Sequence, residues 1–226
     1  MGWWRPLRLV VYDATDVRKA GAPVVPRVVR REDGTAEGSG GLTPFWRLGS
    51  WMHIYGLHAD GALGATSWGE ALRWAASFAR ARNAKLSELQ CWGHGGFGFM
   101  RMGATRWDRE SLASKSGLAP EIDALRDVLT DDALVWLRCC SAFGHSTGQQ
   151  FAEALAARLG CRVAGHTFII GVFQSGTHSL RPGERATWDE GEGIERTRAG
   201  AILPRNSTMT SPRTLACLRM ALPRGW

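Results

Sequence analysis

Four runs of apolar and β-branched residues divide the chain, and polar or small residues follow each of them. These runs cover residues 8–12, 86–92, 133–137 and 161–168. Runs of this length and composition are typical of strands that are buried on both faces of a sheet. The pattern therefore predicts four strands of a parallel sheet.

Between these strands the apolar residues recur at helical spacing. Ser67 and Glu70 form a capping box of the type Ser-x-x-Glu, which predicts a helix that continues to about Ala84. Pro120 is placed to open a second helix. The apolar residues that share one face of this second helix are Ile122, Leu125, Val128 and Leu129.

A third helix is predicted after the third strand. Ser146 or Thr147 is placed to cap it, and Gly160 stands where a left-handed residue would end it. Two further segments, 44–58 and 168–180, are expected to add small extra strands to the fold.

Strands and helices alternate in the order that produces a mostly parallel sheet with helices on both faces. Because right-handed crossovers bring the carboxyl ends of such strands to one edge, the residues that follow the strands meet there. The glycine-rich stretch 34–44 is expected to be a loop inside a domain. We therefore predict one α/β domain over residues 1–226.

Composition narrows the class of protein. Of the 226 residues 44% are hydrophobic and 22% are charged, as in ordinary globular domains. No apolar run reaches the ~18 residues of a membrane span, and the run at residues 7–12 is too short for a signal-peptide core. The five cysteines, an odd number, do not suit a disulfide framework. We expect a soluble cytoplasmic protein with no membrane partner.

The formal net charge of +7 raises nucleic acid as a partner. The arginines are scattered, however, and acidic residues interrupt them. The densest basic run, Arg27, Arg30 and Arg31, is followed at once by Glu32 and Asp33. Dispersed charge of this kind disfavours nucleic-acid binding, which we keep as a third hypothesis.

The ends of the second and third strands carry an imidazole and a thiol. His94 lies in Gly93-His94-Gly95-Gly96, and Cys140 precedes the third helix. A thiol becomes a good nucleophile when a nearby base takes its proton. A glycine lets its N–H approach a substrate carbonyl, so the N–H groups of Gly95 and Cys140 are candidates for an oxyanion hole. The pair predicts nucleophilic catalysis.

At these residues the chain resembles caspase-like cysteine peptidases. Residues 92–96 (WGHGG) resemble their strand-end His-Gly motif, and residues 138–141 (RCCS) resemble the nucleophile motif of the metacaspase branch. The histidine also precedes the cysteine by a spacing close to the ~50 residues of caspases. The resemblance covers about 86–168 and the first strand. It implies a caspase-like α/β/α sandwich, with His94 as general base and Cys140 as nucleophile.

The motif departs from the metacaspase pattern at one position. Metacaspases carry an acid two residues before the nucleophile, where it lines the pocket for a basic P1 side chain, whereas this chain has Arg138. A guanidinium would repel Lys or Arg and could pair with a carboxylate, which predicts an acidic P1 residue. Arg18, in the loop after the first strand, could add to this pocket, and Asp13 and Asp16 in the same region could oppose it.

Other uses of these residues compete with catalysis. Free cysteines are usually buried thiols, and we expect this of Cys139, Cys161 and Cys217. A zinc site could draw on the remaining ligand-type side chains, but no Cys-x-x-Cys pair is present, and we predict no metal. The residues considered for it are Cys91, His94, Cys139, Cys140 and His145.

The function that these observations predict is a cysteine endopeptidase that acts on protein or peptide substrates through an acyl-enzyme. The reaction needs no cofactor, although calcium activates some relatives of the family. The main alternative is a catalytically silent caspase-like domain that serves as an interaction module. The specific substrate and the oligomeric state stay open.

Overall fold

A six-stranded sheet forms the centre of the computed structural model, which describes residues 5–17, 29–37, 41–223 and 225–226. The helices are α1 (Thr43–Tyr55), α2 (Trp68–Ala81), α3 (Ala119–Arg126) and α4 (His145–Leu159). The strands are β1 (Leu7–Asp13), β2 (Val29–Arg30), β3 (Ala36–Glu37), β4 (Gly61–Ala65), β5 (Leu86–Trp92), β6 (His94–Gly96), β7 (Phe99–Met102), β8 (Thr105–Asp108), β9 (Leu129–Arg138), β10 (Arg162–His166), β11 (Phe173–Gln174), β12 (Thr177–Leu180), β13 (Ile194–Arg196), β14 (Ile202–Pro204) and β15 (Leu215–Ala216).

The order of strands in the central sheet is β12-β10-β9-β5-β1-β4. All neighbours are parallel except β12, which runs antiparallel to β10. The predicted α/β class with a mostly parallel sheet is confirmed. From β1 the chain first moves outward to β4 and then returns to β5 on the other side of β1. The order therefore reverses between β1 and β5, which is where ligands of such sheets bind.

Helices α2, α3 and α4 cover one face of this sheet. The main core lies there, and its largest buried side chains include Trp68, Trp107, Phe143 and Phe151. Right-handed crossovers account for this arrangement, because the three connections from β4 through β10 all move across the sheet in one direction. Among the elements that the structure describes, the crossover from β1 to β4 moves the opposite way, and its helix, α1, lies on the other face.

The second face of the sheet is covered by two different elements. Val10 and Trp92 pack there with Trp46 and Ile54 of α1. Trp136 packs instead with residues of the C-terminal segment, by which we mean residues 215–223 and 225–226. One half of this face is thus covered by a helix and the other half by a segment that contains only the short strand β15.

The prediction of an extra strand within residues 44–58 is wrong, because these residues form α1. The helix is apolar on its outer face as well as its inner face, which obscures the helical period. The large hydrophobic side chains that it exposes are Phe45, Leu48, Trp51, Met52 and Tyr55. The companion prediction for 168–180 is confirmed by β11 and β12.

The predicted helix boundaries are confirmed in part. The Ser67 hydroxyl accepts from the N–H of Glu70, as the capping box requires, and Gly160 ends α4 in the left-handed region at φ 68°. The predicted N-cap residues of α4, Ser146 or Thr147, are wrong, because Gly144 is the N-cap and both residues lie inside the first turn. Val128 and Leu129 do not belong to α3, which ends at Arg126, and Leu129 begins β9.

Within the part of the chain that the structure describes, no helix is long and apolar enough to cross a membrane. All five cysteines are free thiols.

Candidate active site

The candidate dyad lies at the carboxyl edge of the sheet, next to the point where the strand order reverses. Strands β5 and β9 are parallel neighbours, and Trp92 is paired with Arg138 in their last register position. His94 and Cys140 each follow this pair by the same number of residues. The two strands therefore deliver the imidazole and the thiol to the same level of the same edge.

Gly95 brings the two chain segments into direct contact. A Cβ at this position would lie 2.6 Å from the carbonyl oxygen of Cys140 and 2.6 Å from the sulfur of Cys139. Distances this short exclude any side chain, so the backbone after His94 packs against the backbone of the cysteine pair. The absence of a side chain at Gly95 is what permits the approach.

The imidazole of His94 is held by an acid from the loop after β1. Its Nε2 lies 2.9 Å from Oδ2 of Asp16, and the two side chains are 15% and 23% exposed. The ring of Trp46 meets the imidazole edge-on, with centroids 5.4 Å apart. A ring fixed on one side by a carboxylate and on another by an indole has little freedom to rotate. Nε2–H donates to Asp16 in this arrangement, which leaves the lone pair on Nδ1.

The sequence indicated Asp16 only as an acid that could oppose the pocket of Arg138, and its contact with His94 was not predicted. Burial acts to raise the pKa of its carboxyl, but the hydrogen bonds from His94 and from the N–H of Leu42, with the positive charge of Arg101, lower the pKa below its ordinary value. Leu42 donates at 2.7 Å from the start of α1. The carboxylate thus connects the helix to the imidazole, and it stays ionised near neutral pH.

Cys140 is half-buried, and its sulfur lies 4.0 Å from the carbonyl oxygen of Ile170. Burial raises the pKa of its thiol to about 11. A resting thiol, not a thiolate, follows from this value near neutral pH. Ser141 turns the chain directly after it with a φ of 54°, and the Ser141 N–H donates to the carbonyl of Phe168. The thiol therefore needs a neighbouring base to react.

The other cysteines differ in exposure. Cys91, Cys139 and Cys161 are buried, which confirms the prediction of core thiols for Cys139 and Cys161. Burial raises the thiol pKa of Cys161 to about 12 and that of Cys139 well above its ordinary value. Cys217 is half-buried in the C-terminal segment, so the prediction of a core thiol is wrong there.

Arg138 does not face an open pocket in this conformation. It is 4% exposed, and its guanidinium donates to the side-chain oxygens of Gln90 and Gln174 at 3.0–3.1 Å and to the main-chain oxygen of Cys217. Burial lowers the pKa of the guanidinium to about 10. Strand alternation predicts that Arg138 lies on the same face as Cys140. A substrate could reach the guanidinium only if the groups that cover it moved.

Within the described residues, no hydrogen bond or ion pair joins Asp13 to the thiol of Cys140. Asp13 is 2% exposed, and its carboxylate accepts from the N–H and hydroxyl of Thr15 and from the N–H of Gly103. These contacts give Asp13 a structural role in holding a turn, and its role in substrate binding stays a prediction. Arg18 lies outside the described residues.

The described residues contain no group of three or more His, Cys, Asp or Glu side chains placed to hold a metal ion. His166 is not available as a base, because burial and then the charge of Arg138 lower its pKa to about 3. Both of its ring nitrogens have partners, Trp136 and Thr177.

Comparisons of the chain with protein-family models, with curated proteins and with solved structures find no match. The α/β class is therefore established by the structure itself. A caspase-like fold and a peptidase activity stay predictions from the motif resemblance.

Proposed function

We propose that this protein is a caspase-like cysteine endopeptidase in which His94 and Cys140 form the catalytic dyad. The observation that supports the proposal is the shared register of β5 and β9, since His94 and Cys140 each follow the paired residues Trp92 and Arg138 by the same number of residues. The bond of His94 to Asp16 supports it, because a catalytic imidazole needs a fixed orientation.

The proposed reaction starts from a neutral dyad. His94 Nδ1 takes the proton of the Cys140 thiol as the sulfur attacks the carbonyl carbon of a peptide bond. The imidazolium then gives this proton to the departing amine, and an acyl-enzyme thioester forms. Water attacks the thioester with His94 as base, which releases the carboxylic acid and restores the thiol. Asp16 acts throughout through the imidazole, whose positive form it stabilises.

The negative charge that develops on the carbonyl oxygen needs donors, for which we propose the N–H groups of Gly95 and Cys140. Gly96 and Phe99 close a two-residue hairpin between β6 and β7. The next pair along, Gly95 and Met100, is then of the non-hydrogen-bonded kind, so that the Gly95 N–H is directed away from β7. This orientation leaves it able to serve a substrate.

A peptide library tests the proposal with four variants of the full chain. Cys140→Ala and His94→Ala are expected to abolish cleavage. Cys217→Ala removes another half-buried thiol and His58→Ala another imidazole, an exposed one, and both are expected to retain cleavage. Cleavage that survives Cys140→Ala would overturn the assignment, as would its loss in all four variants.

The catalytically silent interaction module is a second candidate, favoured by the outer face of α1. Phe45, Trp51 and Tyr55 are 69%, 52% and 81% exposed there, which is unusual for side chains of this size. The same library separates the candidates. Absence of cleavage with every peptide, together with no modification of Cys140 by a peptide aldehyde, would favour the silent module.

A further inference from the structure

The guanidinium of Arg138 lies in a site suited to an anion. Its hydrogen bonds go to neutral oxygens, those of Gln90, Gln174 and the main chain of Cys217. Two indoles flank it, with the guanidinium carbon 5.4 Å from the ring centre of Trp92 and 4.6 Å from that of Trp136. A planar, rigid and desolvated cation of this kind binds a carboxylate through two parallel hydrogen bonds.

Glu88, on the same strand as Gln90, is an acid whose charge acts on this guanidinium, but its carboxylate is bound to Gln90. Glu88 hydrogen-bonds the side-chain amide of Gln90 at 2.7 Å, and burial raises the pKa of its carboxyl. Gln90 thus stands between Glu88 and Arg138. A buried charge with neutral hydrogen-bond partners is poorly compensated, and a carboxylate from outside would compensate it better.

The C-terminal segment covers this site. Besides the bond from Arg138 to Cys217, the amide of Gln90 donates to the carbonyl of Met220 at 3.3 Å. The segment is attached through β15, which pairs with β11 next to Gln174, and through the N–H of Cys217, which donates to Val172 at 2.8 Å. Its carbonyl oxygens thereby take positions that acceptors on a substrate would otherwise take.

We propose that the C-terminal segment is a displaceable cover over a carboxylate-binding pocket centred on Arg138. This inference rests on the proposed peptidase function, for which the pocket would receive an acidic P1 side chain. With the segment in place, the carbonyl of Cys217 accepts a hydrogen bond from the guanidinium, and the segment excludes the substrate from the pocket. When the segment is displaced, the substrate carboxylate can reach the guanidinium.

A small number of contacts attaches the segment. Leu215, at 6% exposed, is the one side chain of its described residues that is buried. It packs on Trp136 and Ala164 together with the partly buried Leu222 and Trp226, whereas Leu218 is 55% exposed. The main-chain oxygen of Trp226 also accepts from Arg162 and Ser179. Segments with few buried apolar contacts open at a small part of the global unfolding free energy.

The experiment compares Leu215→Ser with the matched control Leu218→Ser in the full chain. Both changes are neutral, so neither brings a new carboxylate toward Arg138. Phenylglyoxal modification of Arg138, followed by peptide mass spectrometry, reports the exposure of its guanidinium without any need for activity. We expect modification about tenfold faster or more in Leu215→Ser than in the wild type or the control, because a buried leucine anchor is lost. N-acetyl-aspartate amide is expected to slow it, and N-acetyl-lysine amide is not.

A second variant, Cys217→Pro, removes the N–H that donates to Val172 without removing the leucine, and it is expected to act in the same direction. Hydrogen exchange at the Cys217 amide shows whether Leu215→Ser has released the segment. If release leaves Arg138 as protected as before, or if the aspartate compound gives no protection, the proposal is overturned. If Arg138 is exposed and protected but no variant cleaves any peptide, the pocket and cover stand and the peptidase function fails. Faster cleavage after Asp or Glu in Leu215→Ser supports both.

Discussion

The change Asp16→Asn tests whether the acid that holds His94 contributes to the chemistry. The amide oxygen of asparagine can accept both hydrogen bonds that Oδ2 accepts now, from His94 at 2.9 Å and from the N–H of Leu42 at 2.7 Å. What the variant removes is the negative charge. The change therefore separates the electrostatic role of Asp16 from its place in the fold.

The magnitude follows from the geometry of the contact. At an effective dielectric constant of ~20, unit charges ~4 Å apart interact by ~4 kcal/mol, which is an upper bound for an imidazolium beside this carboxylate. Both side chains touch water, being 15% and 23% exposed. The lower end of the range for hydrogen bonds to charged groups, ~1.5 kcal/mol, is thus the better value. It corresponds to about a tenfold loss in any step that charges His94.

The assay is the rate of iodoacetamide modification of Cys140 between pH 5 and pH 10, followed by peptide mass spectrometry. A thiol with a pKa of about 11 that titrates alone would react tenfold faster with each pH unit up to that value. If His94 shares the proton, the wild type reacts faster than this near neutral pH. We expect this excess to vanish in His94→Ala and to fall about tenfold in Asp16→Asn. The pKa of Asp16 is lowered, so its charge is present throughout this range.

Asp132→Asn is the matched control, because Asp132 is exposed near the opposite end of β9. Its profile is expected to match the wild type. If the wild type, His94→Ala and Asp16→Asn all give one profile that rises steadily toward pH 11, His94 is not the base of Cys140 and the reasoning is refuted.

Three further outcomes are expected. Gly95→Ala should lower the melting temperature and disturb Cys140 modification, because its Cβ would lie 2.6 Å from the Cys140 carbonyl, whereas Gly117→Ala, with open space around it, should do neither. Burial lowers the pKa of His166 to about 3, so the stability that depends on a neutral His166 is fully present above the unfolded pKa of ~6.5 and is lost as the pH falls toward 3. In urea unfolding, the free energy of unfolding of His166→Asn should fall less steeply over this pH window than that of the wild type. DNA binding, measured by fluorescence anisotropy, should be weak and sequence-blind at low salt and absent at physiological salt, and tight specific binding would contradict the dispersed-charge reasoning.

The long apolar runs that form the central strands could be predicted from the sequence, and so could the candidate residues that follow them. The strands at 86–92 and 133–137 are apolar and buried, and parallel pairing then brings the residues after them together. Strand β4 could not be found in this way. Its sequence, Gly-Ala-Leu-Gly-Ala, contains only one large apolar residue, and it forms a strand because it pairs with β1 at the edge of the sheet.

Contacts between distant parts of the chain account for the other differences. Strand alternation predicts that Arg138 lies on the same face as Cys140, but it cannot show what covers that face. The cover comes from Cys217, far along the chain, in a segment with no periodic pattern. Asp16 reaches His94 through a loop whose course depends on where the next element packs. In each case the side chain was visible in the sequence and its partner was not.

The segment whose structure the sequence misjudged is also the one that completes the candidate site. As α1, this segment places the ring of Trp46 on the imidazole. The residues at the start of the helix bind the chain after β1, because the N–H of Leu42 donates to Asp16 and the hydroxyl of Thr43 donates to the carbonyl of Asp13. The only crossover directed from β1 toward β4 thus puts a helix where its start can hold the acid of the site. The reversal of strand order brings this acid next to β5, and so the topology explains why His94 has a carboxylate partner.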